Sequence, residues 1–223
     1  MTDIGRKKIG TPVEELDTPA LLLDLAAFER NVARMAAFFA DKPASIRPHS
    51  KTHKCPQIAL RQLEAGAIGI TCAKVSEAEV MAHAGIRDIL VANQVPGRIK
   101  IDRATDLAQR CDLMVAVDDA ENVQQLSEAS AAKGVELRVL VEVDVGMGRC
   151  GVRPGQPALD LARQVAGAPG LKLEGLMAYE GHLVMVEDPG ERAMRVRSEF
   201  EPLADTVALL ERDGLPVRIV SSG

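Results

Sequence analysis

The chain has 223 residues, 47% of them hydrophobic and 2% aromatic, with 27 Lys+Arg against 32 Asp+Glu for a formal charge of −5. That supply of aliphatic side chains suits one large domain or two small ones. It excludes a strongly basic nucleic-acid footprint and an aromatic base-stacking platform. Cys55, Cys72, Cys111 and Cys150 never form a C-x-x-C pair, so the thiols read as reduced and the protein as cytoplasmic. The N-terminal run lacks an apolar stretch, and nowhere do about 18 apolar residues follow one another, so neither a signal peptide nor a membrane span is expected.

After a polar lead-in, the sequence alternates short aliphatic runs with amphipathic stretches. Strands are predicted at 20–24 (ALLLD), 45–51 (SIRPHSK), 68–74 (IGITCAK), 88–93 (DILVAN), 112–118 (DLMVAVD), 136–144 (ELRVLVEVD), 171–179 (LKLEGLMAY) and 216–222 (PVRIVSS). Most are continuously apolar, the pattern of parallel strands covered on both faces. The helices between them carry start and stop signals. Pro56 opens one that Gly66 closes, and Ser76 with Glu79 has capping-box spacing ahead of Gly85. Asp119 caps a helix ending near Gly134, Pro157 opens one that stops before Gly170, and a long helix runs from about Gly190 to Asp213. Repeated β/α units of this kind build either a closed barrel or an open doubly wound sheet. A TIM-type (β/α)8 barrel takes about 250 residues, slightly more than are present.

The glycines Gly146, Gly148 and Gly151 spell G-x-G-x-x-G directly after a strand. A dinucleotide fingerprint needs the glycines to run straight into a helix, and Pro154, Gly155 and Pro157 delay it. The loop instead places Arg149 among flexible glycines at the C-terminal mouth of a strand. His49 and His53 are four apart, a metal-ligand spacing on a helix, but Pro48 favours strand, where His49, Lys51 and His53 alternate onto one face. Lys51 falls at the last position of its predicted strand, the rim from which barrel enzymes draw catalytic residues. Partly desolvated beside Arg47, His49, His53 and Lys54, it would have a lowered ammonium pKa and could form a Schiff base. Tyr179, the single tyrosine, ends another strand with His182 three residues on, and Ser221-Ser222-Gly223 lies at the end of the last strand, where barrels bind phosphate.

Four runs, DTPALLLDLAAFERNVARM, IRPHSKTHKCPQIALRQLEAGAIGITCAKVSEAEVMAHAGIRDILVANQV, VLVEVDVGMGRCGV and GLMAYEGHL, resemble the D-threonine aldolase / D-serine dehydratase family. These are fold-type III pyridoxal-phosphate enzymes related to the N-terminal barrel of alanine racemase. The resemblance extends from about Asp17 to Gly223, and RPHSKTHK is its most specific run. It implies that Lys51 holds pyridoxal 5'-phosphate as a Schiff base. It further implies that Arg149 lies near the pyridine nitrogen, Tyr179 lines the cofactor, and Ser222 and Gly223 begin the phosphate loop. The implied reaction is retro-aldol cleavage of a D-threonine-type β-hydroxy-D-amino acid to glycine and an aldehyde, in a homodimer.

The resemblance also implies a C-terminal β-domain that supplies ligands for a divalent metal; those ligands are not found in this sequence. On that pattern residues 1–24 pair with the absent domain, and 25–223 form a barrel incomplete at its C-terminus, with seven of the usual eight strands. Such a chain is expected to be inactive by itself. Ala73 stands where some aldolases carry a longer polar side chain, which leaves substrate preference open. Dehydration of D-serine or 3-hydroxy-D-aspartate is the close alternative. A single-barrel carrier of pyridoxal phosphate and a class I aldolase are the more distant ones.

Overall fold

The computed structural model describes residues 10–223. They fall into two compact units, one ending at Pro43 and one running Ala44–Gly223. Among the described residues, no helix is long and apolar enough to cross a membrane.

The N-terminal unit is built on helix α1 (Leu25–Phe39), which starts where the Asp24 side chain accepts a hydrogen bond from Ala27 N at 2.8 Å. The run predicted as a strand at 20–24 is not one. A strand exists only through a ladder partner, and no described residue pairs with this run, so Leu21, Leu22 and Leu23 stand exposed.

The second unit is a parallel sheet of β1 (Ile70–Cys72), β2 (Asp88–Val91), β3 (Asp112–Val117), β4 (Leu137–Glu142), β5 (Leu171–Met177) and β6 (Ile219–Ser221). Its spatial order is β1-β2-β3-β4-β5-β6, all neighbours parallel. A doubly wound sheet reverses its order at a switch point; an unbroken sequential order is the wall of a curled β/α barrel. The segment predicted as a strand at 45–51 extends this wall beyond β1 through one bridge, His49 to Thr71. Pro48 has no N–H, which keeps the ladder from completing.

The crossovers are α2 (Pro56–Glu64), α3 (Val75–His83), α4 (Arg98–Ala108), α5 (Ala120–Lys133), α6 (Gln156–Gly167) and α7 (Pro189–Arg212). Asp119 caps α5 by accepting from Asn122 N at 2.9 Å, and left-handed Gly134 ends it. The capping box predicted at Ser76 and Glu79 is displaced. Helix α3 starts at Val75, so Glu77 reaches back to Ala73 N at 2.8 Å, while Glu79 pairs with Arg103 of α4.

Two apolar layers flank the sheet. The larger lies under the helices and includes Ile70, Val115, Val139 and Leu176. The smaller, on the opposite face, is Leu90, Met114, Ala116, Leu140 and Met177. At the strand N-termini that inner face turns ionic. Glu174, 4% exposed, accepts from Arg138 Nε at 3.0 Å and Lys172 Nζ at 3.2 Å, and Asp88 pairs with Arg47 and, at 3.5 Å, Arg138.

Burial raises the Glu174 carboxyl, but bonds from Lys172 and Arg138 outweigh it and hold its pKa below the usual range. A depressed folded pKa gives stability that is complete above the unfolded value and is lost as pH falls through the folded one. Glu174→Gln is therefore expected to cost about 2 kcal/mol at neutral pH, because the surrounding cations are partly solvated. Urea titrations should show the deficit shrinking in acid.

Cys72 and Cys111 are both buried, and burial pushes each thiol up to about 11. Native alkylation near pH 8 is expected to leave these two unmodified until the protein is unfolded, with any labelling confined to half-buried Cys55 and Cys150. Peptide mapping checks this.

Candidate active site

The residues singled out from the sequence gather at the C-terminal ends of the strands. Ser50 is fully buried; its Oγ donates to the Thr71 carbonyl at 3.0 Å and lies 3.4 Å from Cys72 Sγ. The chain is thus pinned to β1 just before Lys51, whose side chain is exposed and whose backbone N–H donates to His49 Nδ1 at 3.2 Å. The His49 pKa is lowered first by burial and then by the Lys51 ammonium, with Glu77 opposing.

The lysine's surroundings differ from the expected ones. Arg47 is engaged at the opposite end of the strand by Asp88, so it contributes nothing beside Lys51. His53 does not share the face, because the chain turns after Ser50 and Lys54 adopts φ +49. His53 Nδ1 instead accepts from Cys55 N at 3.0 Å, at the start of α2. Lys51 is therefore presented to solvent rather than desolvated among cations.

The glycine loop after β4 is organised by acids. Asp144 Oδ1 accepts from both Gly146 N and Gly148 N at 3.0 Å, and Asp118 Oδ2 from Gly151 N at 2.9 Å. Gly151 has φ +100, and a Cβ there would lie 2.6 Å from Asp144 N, so only glycine fits. Helix α6 begins at Gln156, well past the last glycine of the motif, so the loop lacks the helix N-terminus that a dinucleotide site requires.

This loop carries Arg149 to within 5.5 Å of the Tyr179 ring centroid, a cation–π contact. The tyrosine ring rests on Gly181, where a Cβ would sit 2.6 Å from its Cζ. Ser222 and Gly223 follow β6 and are exposed; the adjoining Ser221 carbonyl accepts from Ala178 N at 2.9 Å. The structure thus brings Arg149 and Tyr179 into contact, while Lys51, Ser222 and Gly223 lie beyond the ends of other strands of the same wall.

Sequence reasoning missed the network beneath the loop. Glu142, 5% exposed at the end of β4, accepts a hydrogen bond from Gln94 Nε2, and burial raises its pKa against that bond. Glu142 ends β4, Asp118 and Asp144 lie just beyond β3 and β4, and that placement around strand ends was the available signal.

Asp118, Glu142 and Cys150 each offer an atom within 4.8 Å of the others, a possible metal-ligand set among the described residues. Its chemistry argues against an ion. Gly151 N and Gln94 Nε2 already engage the carboxylates. The group is a hydrogen-bonded brace for the loop.

Residues 23–223 match the family model described as alanine racemase, N-terminal domain. The chain is 43% identical to a D-threonine aldolase from Arthrobacter sp, over 96% of this chain and 56% of that protein. It is 37% identical to a 3-hydroxy-D-aspartate aldolase from Paracoccus denitrificans, with the same two coverages. Among solved structures, D-threonine aldolase from Filomicrobium marinum superposes with a TM-score of 0.92 at 46% identity, covering 95% of this chain and 57% of that one. D-threo-3-hydroxyaspartate dehydratase from Delftia sp. HT23 superposes with a TM-score of 0.81 at 32% identity, covering 94% and 55%. The chain spans a little over half the length of these relatives.

Proposed function

The chain belongs to the alanine racemase N-terminal domain family, and from that premise we propose that it is the barrel of a pyridoxal-phosphate-dependent lyase cleaving a β-hydroxy-D-amino acid of the D-threonine type. The observation that carries this reading is the Arg149–Tyr179 pair on the same strand-end rim as the accessible Lys51 amine. The 43% identity to a D-threonine aldolase supports the reaction class.

The described residues fit the cofactor. Bound here, pyridoxal phosphate would supply an aldehyde for covalent capture of amines and a ring that withdraws electrons from the substrate. Lys51 would hold that aldehyde through Nζ and, as a free amine, accept or give a proton at the same nitrogen. Arg149 is cationic at every accessible pH, so beside the ring nitrogen it would keep that atom unprotonated and temper the electron sink. Tyr179 would present its face and hydroxyl to the ring. Backbone N–H groups at Ser222 and Gly223 would bind phosphate oxygens. No step is assigned to a metal, since Gly151 N and Gln94 Nε2 already engage the Asp118 and Glu142 carboxylates.

The start of the family match at residue 23 supports dividing the chain into a 1–24 segment and a 25–223 barrel domain, although compactness groups α1 with the N-terminal unit. Similarity to the Delftia dehydratase supports a second reading, in which the same rim eliminates the β-hydroxyl.

The test is to add pyridoxal phosphate, reduce with borohydride and map the adduct. One adduct on Lys51, with D-threonine converted by the complete protein to glycine and an aldehyde, is the expected result. An oxo acid and ammonia would favour the dehydratase. An unmodified Lys51 would overturn both.

A further inference from the structure

We infer that Asp144 and Asp118 are positioning residues that hold Arg149 against the Tyr179 ring, an inference that rests on the function proposed above. Arg149 is itself exposed, so its place beside the ring, 5.5 Å from the centroid, is set by the backbone that carries it. That backbone has little stiffness of its own. Gly146, Gly148 and Gly151 all take positive φ, and glycine gives up more conformational freedom on folding than any other residue. Two carboxylates supply the constraint. Asp144 Oδ1 accepts at 3.0 Å from Gly148 N, directly before Arg149, and from Gly146 N. Asp118 Oδ2 accepts at 2.9 Å from Gly151 N, two residues after Arg149.

Both acids stand on the rigid part of the molecule. Asp118 lies just beyond β3 and Asp144 just beyond β4, neighbouring strands in which Val115, Val117, Val139 and Val141 are buried. Beneath the loop a bridge between Val143 and Val152 ties its two legs, with Asp144 N donating to the Val152 carbonyl and Val152 N to the Glu142 carbonyl, both at 2.9 Å. Backbone N–H groups converging in a glycine turn form a cradle for an anion. Here the chain's own Asp144 fills that cradle, so the arginine loop is set before any cofactor arrives. Carboxylate acceptors make such bonds about twice as strong as neutral ones. The two acids act on Arg149 through the backbone, which makes them positioning residues rather than catalytic ones.

This chain offers a specific readout. Tyr179 is its single tyrosine and there is no tryptophan, so the near-ultraviolet circular dichroism of the tyrosine band reports this one ring without any cofactor. Asp144→Ala is expected to weaken that band and raise the Kd for pyridoxal phosphate about tenfold. Asp144→Asn, whose Oδ1 still accepts from both amides, is expected to restore most of both signals. In an Arg149→Ala background, Asp144→Ala is expected to change neither signal further, since a positioning residue acts only through the group it positions. An unaltered tyrosine band in Asp144→Ala, an asparagine variant no better than alanine, or an undiminished effect without Arg149 overturns the assignment. If Asp144→Ala does not fold, Asp118→Ala takes its place, and band and affinity both unchanged in it overturn the assignment. Failure of the wild-type protein to take up pyridoxal phosphate overturns the functional reading instead, and the tyrosine band still decides the positioning role.

Discussion

Lys51→Ala is expected, on the function proposed above, to remove covalent capture of pyridoxal phosphate completely and to lower any turnover of a β-hydroxy-D-amino acid by at least about 10³-fold. The loss should be chemical rather than structural. The Lys51 side chain is exposed, and the local backbone is held by Ser50 on Thr71 rather than by the lysine. An exposed substitution of this kind shifts stability by only about 0.5 kcal/mol. Lys51→Arg separates charge from nucleophilicity, because a guanidinium keeps the cation but offers no free amine at accessible pH. Both variants should therefore lose the borohydride-trapped adduct while keeping the wild-type urea midpoint. An adduct surviving in Lys51→Ala would mean that another amine on the rim carries the cofactor.

The second large effect is expected at Gly175, where Gly175→Ala should cost at least about 3 kcal/mol. Gly175 has φ +146, and a Cβ there would fall on the Ile219 carbonyl oxygen, with Ile219 C at 3.0 Å and N at 3.1 Å. These are backbone atoms of β6 and cannot swing aside as a side chain would. The site coincides with the register shift in the β4–β5 ladder, where Val139 pairs with Leu173 and Leu140 with Gly175, leaving Glu174 as the extra residue of a bulge. Forcing β6 away would also displace Ser221, Ser222 and Gly223, so phosphate affinity should fall together with stability. Gly134→Ala is the control: its φ is +64 but nothing lies within 4 Å of a Cβ, and about 1 kcal/mol is expected. Equal losses for the two variants in urea titrations would refute the collision argument.

Much of the architecture was legible because each strand is a nearly continuous aliphatic run and most helices carry punctuation at their ends. What eluded the sequence depends on partners far along the chain. ALLLD has strand composition, but pairing decides a strand and nothing described pairs with it. Helix α4 lacks a side-chain cap; only Gly97 at φ +83 marks its start. Lys51, Arg149 and Tyr179 stood out because they lie at or beyond strand ends, yet the cationic surroundings expected for Lys51 are not the ones the structure has. Adjacent basic residues look like neighbours in sequence, whereas strand geometry sends Arg47 to Asp88 at the other end of the sheet. The Gln94–Glu142 hydrogen bond and the close approach of His182 to Glu199 each join elements more than ten residues apart, and no local pattern encodes them.

The slim inner band of Leu90, Met114, Ala116, Leu140 and Met177 has a consequence for how such a protein can change. Along β4, alternation puts Arg138 below the band, Leu140 within it and Glu142 above it. The band thus works as a dielectric spacer between an ionic foundation and a reactive mouth. Charge swaps in the foundation are therefore expected to change stability while leaving the groups at the strand C-termini in place.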